Sequence, residues 1–110
     1  MSLNGIWKVE MLGPYGWEPV STAFLEDGRY RAASGDHYTV GNYEVTGNRI
    51  GISTTGVQHG EARTLFGKKD RNLDIKLEGE IDGDVIKGQA QDEVGAYQIS
   101  VRLTRLADLT

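Results

Sequence analysis

The chain contains no cysteine. That excludes a disulfide framework, a thiolate nucleophile and a thiolate metal site. Proline is nearly missing, with two in 110 residues. Positive charge is not in excess: 12 Lys and Arg stand against 16 Asp and Glu, for a net charge of −4. A nucleic-acid binder would show a basic footprint, so that class is set aside. Long apolar runs are absent from the sequence, so no segment reads as a membrane-spanning helix and no membrane partner is expected. Met1-Ser2-Leu3 is not a basic stretch leading into an apolar one. No secretory leader is therefore expected, and cytoplasmic residence is the default.

What is present is glycine, 15 residues of it, among segments that alternate apolar and polar with period two. Helical periodicity is almost nowhere. At 110 residues the chain is one domain, long enough to bury a core without staples. The alternation predicts eight strands. They run over 5–12, 17–26, 29–33, 38–45, 49–54, 72–81, 85–91 and 98–106. Asp27-Gly28 and Asp82-Gly83 read as two-residue hairpin turns. Gly13 to Gly16, Ser34 to His37, Gly47-Asn48 and Asp92 to Gly95 supply the other turns. Pro19 fits a strand entry or edge, and Gly41 in mid-strand predicts a bulge, a bend or a close backbone approach. The stretch 56–71 breaks the rhythm, and 62–66 fits a short strand or a single helical turn.

Eight strands joined by short turns pair in sequence order. The fold class expected is all-β, an eight-stranded antiparallel up-and-down barrel, lipocalin- or calycin-like, because closure removes the sheet edges. Such an interior is filled by side chains or holds one small ligand. If Trp7, Met11, Phe24, Leu73, Ile75, Leu77, Ile99 and Val101 all point inward, little room remains.

Asn4-Gly5-Ile6-Trp7 opens the first strand. It resembles the Gly-x-Trp start of lipocalins and related barrels. In that reading Trp7 plugs the core, and Arg102 or Arg105 of the last strand lies over its indole. Gly-Ile-Trp, Asp27-Gly28-Arg29 and Gly35-Asp36 with Tyr38, Gly41 and Tyr43 resemble a small bacterial family, the GrlR-like family. It comprises negative regulators of type III secretion and relatives of unassigned function. The resemblance continues through His59-Gly60, Phe66-Gly67 and Leu103-Thr104-Arg105. It implies a homodimeric calycin-like barrel with a hydrophobic cavity, and regulation through a protein partner. In that family's type member an acidic loop between the fourth and fifth strands captures a transcription activator. The matching turn here, Thr46-Gly47-Asn48-Arg49, holds no carboxylate, so no such residue is carried over.

The chemistry-bearing residues are few. Asp36-His37 and His59, with Ser34 or Ser53 nearby, outline a hydrolytic triad only loosely. No nucleophile elbow accompanies them, and both histidines fall in turns, so the chain is read as no enzyme. Two distant histidines without cysteine make a poor zinc set, and no cofactor or metal is expected. Tyr38, Tyr43 and Tyr97 with Trp7 form the candidate ligand-binding set, since inward tyrosines need hydroxyl partners. Tyr15 and Trp17 are placed at the barrel mouth. Glu78, Glu80, Asp82 and Asp84, with Asp92 and Glu93 beyond, form a candidate acidic docking face for a basic protein. The function expected is a non-enzymatic binding module, either a GrlR-like regulator acting through a protein partner or a carrier of a small apolar ligand.

Overall fold

The structure is a computed structural model. It describes residues 2–34, 37–58, 72–92 and 98–108. Eight strands are described: β1 (Gly5–Gly13), β2 (Gly16–Glu26), β3 (Arg29–Ala33), β4 (His37–Thr46), β5 (Arg49–Gln58), β6 (Asn72–Asp82), β7 (Val85–Asp92) and β8 (Gln98–Ala107). Each pairs antiparallel with its neighbour, and β8 returns to β1, closing the barrel. The chain is therefore an all-β, eight-stranded, up-and-down barrel, as the period-two pattern predicts. The expected helix-or-strand segment at 62–66 lies outside the described residues.

Turn chemistry sets the register. Asp27 and Gly28 both have positive φ, at 49° and 83°, as the tight turn between right-twisted strands requires. The Asn4 side chain clasps that turn. Its Nδ2 donates to Asp27 Oδ1 at 3.1 Å, and its Oδ1 accepts from the Asp27 amide at 2.9 Å. The turn expected at Asp82-Gly83 is displaced by one residue. Asp82 still pairs with Val85, and Gly83-Asp84 make the turn.

Pairing lines the inner face up in rows across the strands. Arg105, Trp7, Ala23, Ala32, Thr39 and Gly56 face one another in one row. Small side chains opposite Trp7 give its indole the space it fills, and it is fully buried. Trp7 Nε1 donates to the Leu3 carbonyl at 3.0 Å, satisfying the one polar atom that burial would orphan. Arg105 lies over the ring, 4.8 Å from its centroid. It donates to the Asn4 and Ser2 carbonyls at 2.8 and 3.0 Å, and to Asp84 at 2.9 Å. Of the two arginines expected over Trp7, the structure selects Arg105.

Register shifts interrupt the alternation in β2 and in β8, where Leu106 is the extra residue between the Ile6–Ala107 and Trp7–Arg105 pairs. The β1–β2 register shifts beside Pro19: Glu10 pairs with Pro19 and Val9 with Ser21, leaving Val20 as an extra residue. Beyond that bulge Ala23 and Leu25 point inward, and Phe24 faces solvent. This corrects the expectation that Phe24 fills the core. Gly41 shows a close backbone approach rather than a bulge. A Cβ there would collide with the Ser53 carbonyl and sit 2.7 Å from Thr54 Cα. The β3–β4 and β4–β5 registers run without a shift.

Two substitutions test this packing. Trp7→Ala is expected to cost about 3–5 kcal/mol in urea unfolding, as a core deletion. A loss below about half a kcal/mol, the size of a surface change, would mean that Trp7 is not the plug. Gly41→Val is expected to destabilise by about 1–3 kcal/mol, the scale of overpacking, and a neutral result would contradict the close approach.

Candidate functional site: the barrel interior

Trp7, Leu25, Ile86 and Leu103 are fully buried and fill the end of the barrel where the chain begins. Towards the opposite end several inward positions are small or polar, among them Ser21, Thr39, Thr54 and Ala90. Between them lies a cavity of about 70 Å³. Its apolar wall includes Val9, Met11, Ile52, Ile75, Leu77 and Val101. Ala90 contributes only a methyl group, which leaves space where a larger residue would fill it.

The polar part of the lining comes from Ser21, Tyr30, His37, Thr39 and Thr54. Each sits there by alternation. Tyr30 is opposite Gly41, and Gly41 is opposite Thr54, so the missing side chain at 41 makes room beside the Tyr30 ring. Thr54 Oγ1 donates to the Ile75 carbonyl at 3.2 Å. His37 Nδ1 and Ser34 Oγ are hydrogen-bonded at 2.8 Å, while the Ser34 amide donates to the His37 carbonyl at 2.9 Å. The two bonds tie Ser34 to His37 and hold the imidazole against the cavity. His37, expected in a solvated turn, is instead the half-buried first residue of β4. His59 lies outside the described residues. Ser53 is on the outer face, away from His37, so the triad outlined in the sequence does not assemble with it.

Burial pushes the Tyr30 phenol well above its ordinary range, because desolvation disfavours the phenolate. Tyr30 is therefore a neutral hydroxyl at any physiological pH.

The candidate tyrosines do not form one cluster. Tyr43 is partly buried and packs on the core, whereas Tyr38, five residues away on β4, points outward and is 42% exposed. An odd separation on a strand without a bulge puts two side chains on opposite faces. Tyr97 lies outside the described residues. Trp7 is the plug of the closed end and is absent from the described cavity lining. At the other end Tyr15 is 97% exposed in the β1–β2 turn. Trp17, expected at the mouth, lies on the outer wall. Arg102 stacks on it at 4.4 Å and donates from Nε and Nη2 to Glu10 Oε1 at 3.2 and 3.0 Å.

The acidic face is partly engaged. Glu80 accepts from Arg49 at 3.1 Å and Asp84 from Arg105 at 2.9 Å, while Glu78 and Asp82 remain exposed. Asp92 is not on that face at all. It is the last residue of β7, opposite Ile75 and 2% exposed, on the inner side with Ala90 and Ile86. Continuing the period-two count one step past Ala90 is the signal that finds it. Among the described residues no group of three or more His, Asp or Glu is placed to hold a metal ion. No helix is long and apolar enough to cross a membrane among the described residues.

The raised Tyr30 pKa has a stability consequence. The folded protein holds the phenolic proton more tightly than the unfolded chain, so this contribution is complete below the ordinary tyrosine value near 10 and is lost above it. Urea unfolding at pH 9 and pH 11 should show a drop in stability, smaller in Tyr30→Phe. An equal drop in both proteins would place Tyr30 in contact with solvent.

No family model matches the chain, and no curated protein matches it either.

Proposed function

We propose that the chain is a non-enzymatic binding module whose barrel interior receives a small, mainly apolar molecule. The observation that carries this reading is the unfilled space between the Trp7 plug and the opposite end of the barrel, walled by apolar side chains with a few hydroxyls. Ligand sites are concave, mostly apolar and marked by a few oriented polar groups. The volume, about 70 Å³, is well below the roughly 300 Å³ at which drug-sized ligands begin to fit. The reading is thus of a compact ligand rather than a long lipid.

Xenon tests it, because it enters dry apolar cavities without needing a hydrogen bond. Under xenon pressure the methyl resonances of Ile52, Ile75, Leu77 and Val101 should shift saturably, while those of exposed Val40 and Leu106 should not. Uniform small shifts everywhere would sink the reading.

A second reading has its own support. Phe24, Val40 and Tyr38 are 44, 44 and 42% exposed on the outer face of β2 and β4, with β3 between them. Arg31 of β3 lies between Phe24 and Val40 in one row across the strands, and apolar side chains flanking an arginine suit contact with another protein surface. It is the place where a second copy of this chain, or the protein partner of a GrlR-like regulator, would dock. Sedimentation at micromolar concentration should then show a dimer of the 12.1 kDa chain that Val40→Asp dissociates. A monomer for the parent protein would remove the homodimer.

A further inference from the structure

We propose that the barrel cavity selects a neutral molecule of about four or five heavy atoms carrying one hydroxyl or carbonyl oxygen, anchored on the Tyr30 hydroxyl. This deepens the reading of the barrel interior as a binding site and rests on it.

The argument begins with the hydrogen bonds of Tyr30. Among the described residues none bonds its hydroxyl. Every fully enclosed polar side-chain atom that is described does have a partner. The Tyr30 hydroxyl is therefore not enclosed by protein, and the space that Tyr30 lines is the cavity. That hydroxyl opens onto a space whose wall is mostly apolar, where an oxygen of a bound molecule can pair with it. Desolvation keeps the phenol protonated, so it both donates and accepts. A ligand hydroxyl or carbonyl satisfies it equally well.

Size and charge narrow the ligand. The space of about 70 Å³ is about half that of an engineered cavity of roughly 150 Å³ that holds benzene. A short branched chain fits such a volume better than a ring. No Asp, Glu, Lys or Arg is among the described lining residues, and the inward carboxylate of Asp92, one step beyond Ala90, disfavours an anion. Besides Tyr30 the one titratable group of the described lining is His37, whose Nδ1 is already engaged by Ser34. An ion entering there would shed its hydration without compensation. Thr39 and Ser21 lie on the same lining and supply further hydroxyls to a ligand oxygen. Thr54 contributes less, since its hydroxyl already donates to the Ile75 carbonyl at 3.2 Å.

The experiment uses the whole chain, with isobutanol as the probe and isobutyrate, of similar skeleton but charged, as its counterpart. Methyl resonances of Ile52, Ile75, Leu77 and Val101 report occupancy. Isobutanol should shift them saturably, and isobutyrate at neutral pH should not. Tyr30→Phe should weaken isobutanol about three- to tenfold, the scale of one hydrogen bond. Xenon should enter the parent and Tyr30→Phe proteins alike. Equal isobutanol affinity in the two proteins would overturn the anchoring role. Equal binding of isobutyrate and isobutanol to the parent protein would overturn the ligand class, and needs no variant. Xenon entry without saturable isobutanol shifts would also overturn the proposal, leaving the cavity as an apolar void. Failure of xenon itself would remove the underlying reading instead.

Discussion

The structure depends on how Trp7 closes one end of the barrel. A closed sheet leaves its two ends open, and one of them must be sealed for a core to exist. Here the Trp7 indole does it together with Leu25, Ile86 and Leu103 of the same buried cluster, its one N–H bonded to the Leu3 carbonyl. Arg105 then ties the seal to the last strand, lying over the ring and bonding the carbonyls of Ser2 and Asn4. The first and last strands are also direct neighbours in the sheet. One residue pair, 98 positions apart in sequence, thus lies where the chain's two ends meet. The partly buried guanidinium is stabilised by the carbonyls and by Asp84 rather than by the ring alone.

Much of this organisation follows from period two. The strand order, the Asp27-Gly28 hairpin and the inward set Trp7, Val9, Ile75, Leu77 and Val101 could be read directly, because each follows from alternation or turn chemistry acting locally. Phe24 could not. Its outward direction follows from one extra residue at Val20, and a bulge reverses the parity of all that follows. Asp92 was hidden for a different reason. A carboxylate followed by Glu93 and, two residues on, Gly95 reads as the start of a turn, although counting on from Ala90 puts it inside. Arg102 and Arg105 were equivalent candidates for Trp7 until register decided between them: Arg102 faces outward onto Trp17 and Glu10, and Arg105 faces Trp7.

The candidate site was legible only in outline. An eight-stranded barrel allows either a solid or a hollow interior, and the list of large apolar residues favoured the solid one. Two things left space. Phe24 turned outward, removing one large aromatic side chain from the interior. The cavity wall also collects small or polar residues, with Ser21, Thr39, Thr54 and Ala90 drawn from four strands. That clustering is a product of pairing between strands far apart in sequence, so no single segment displays it.

The cavity has an energetic meaning. At about 24 cal/mol per Å³, a space of about 70 Å³ corresponds to roughly 1.5–2 kcal/mol of lost packing. Against a typical net stability of about 5–15 kcal/mol, that is an appreciable loss for so small a domain. One larger side chain at Ala90 would recover part of it. The Tyr30 hydroxyl opens onto the same space, so a single neutral molecule bearing one oxygen fills the void and pairs with that hydroxyl. Exposed Phe24, Tyr38 and Val40 lie on the other side of the same wall, where occupancy inside and contact outside share strands β2 to β4. A ligand that tightened this wall would stiffen the surface offered to a second chain, so the two readings of the molecule are physically compatible.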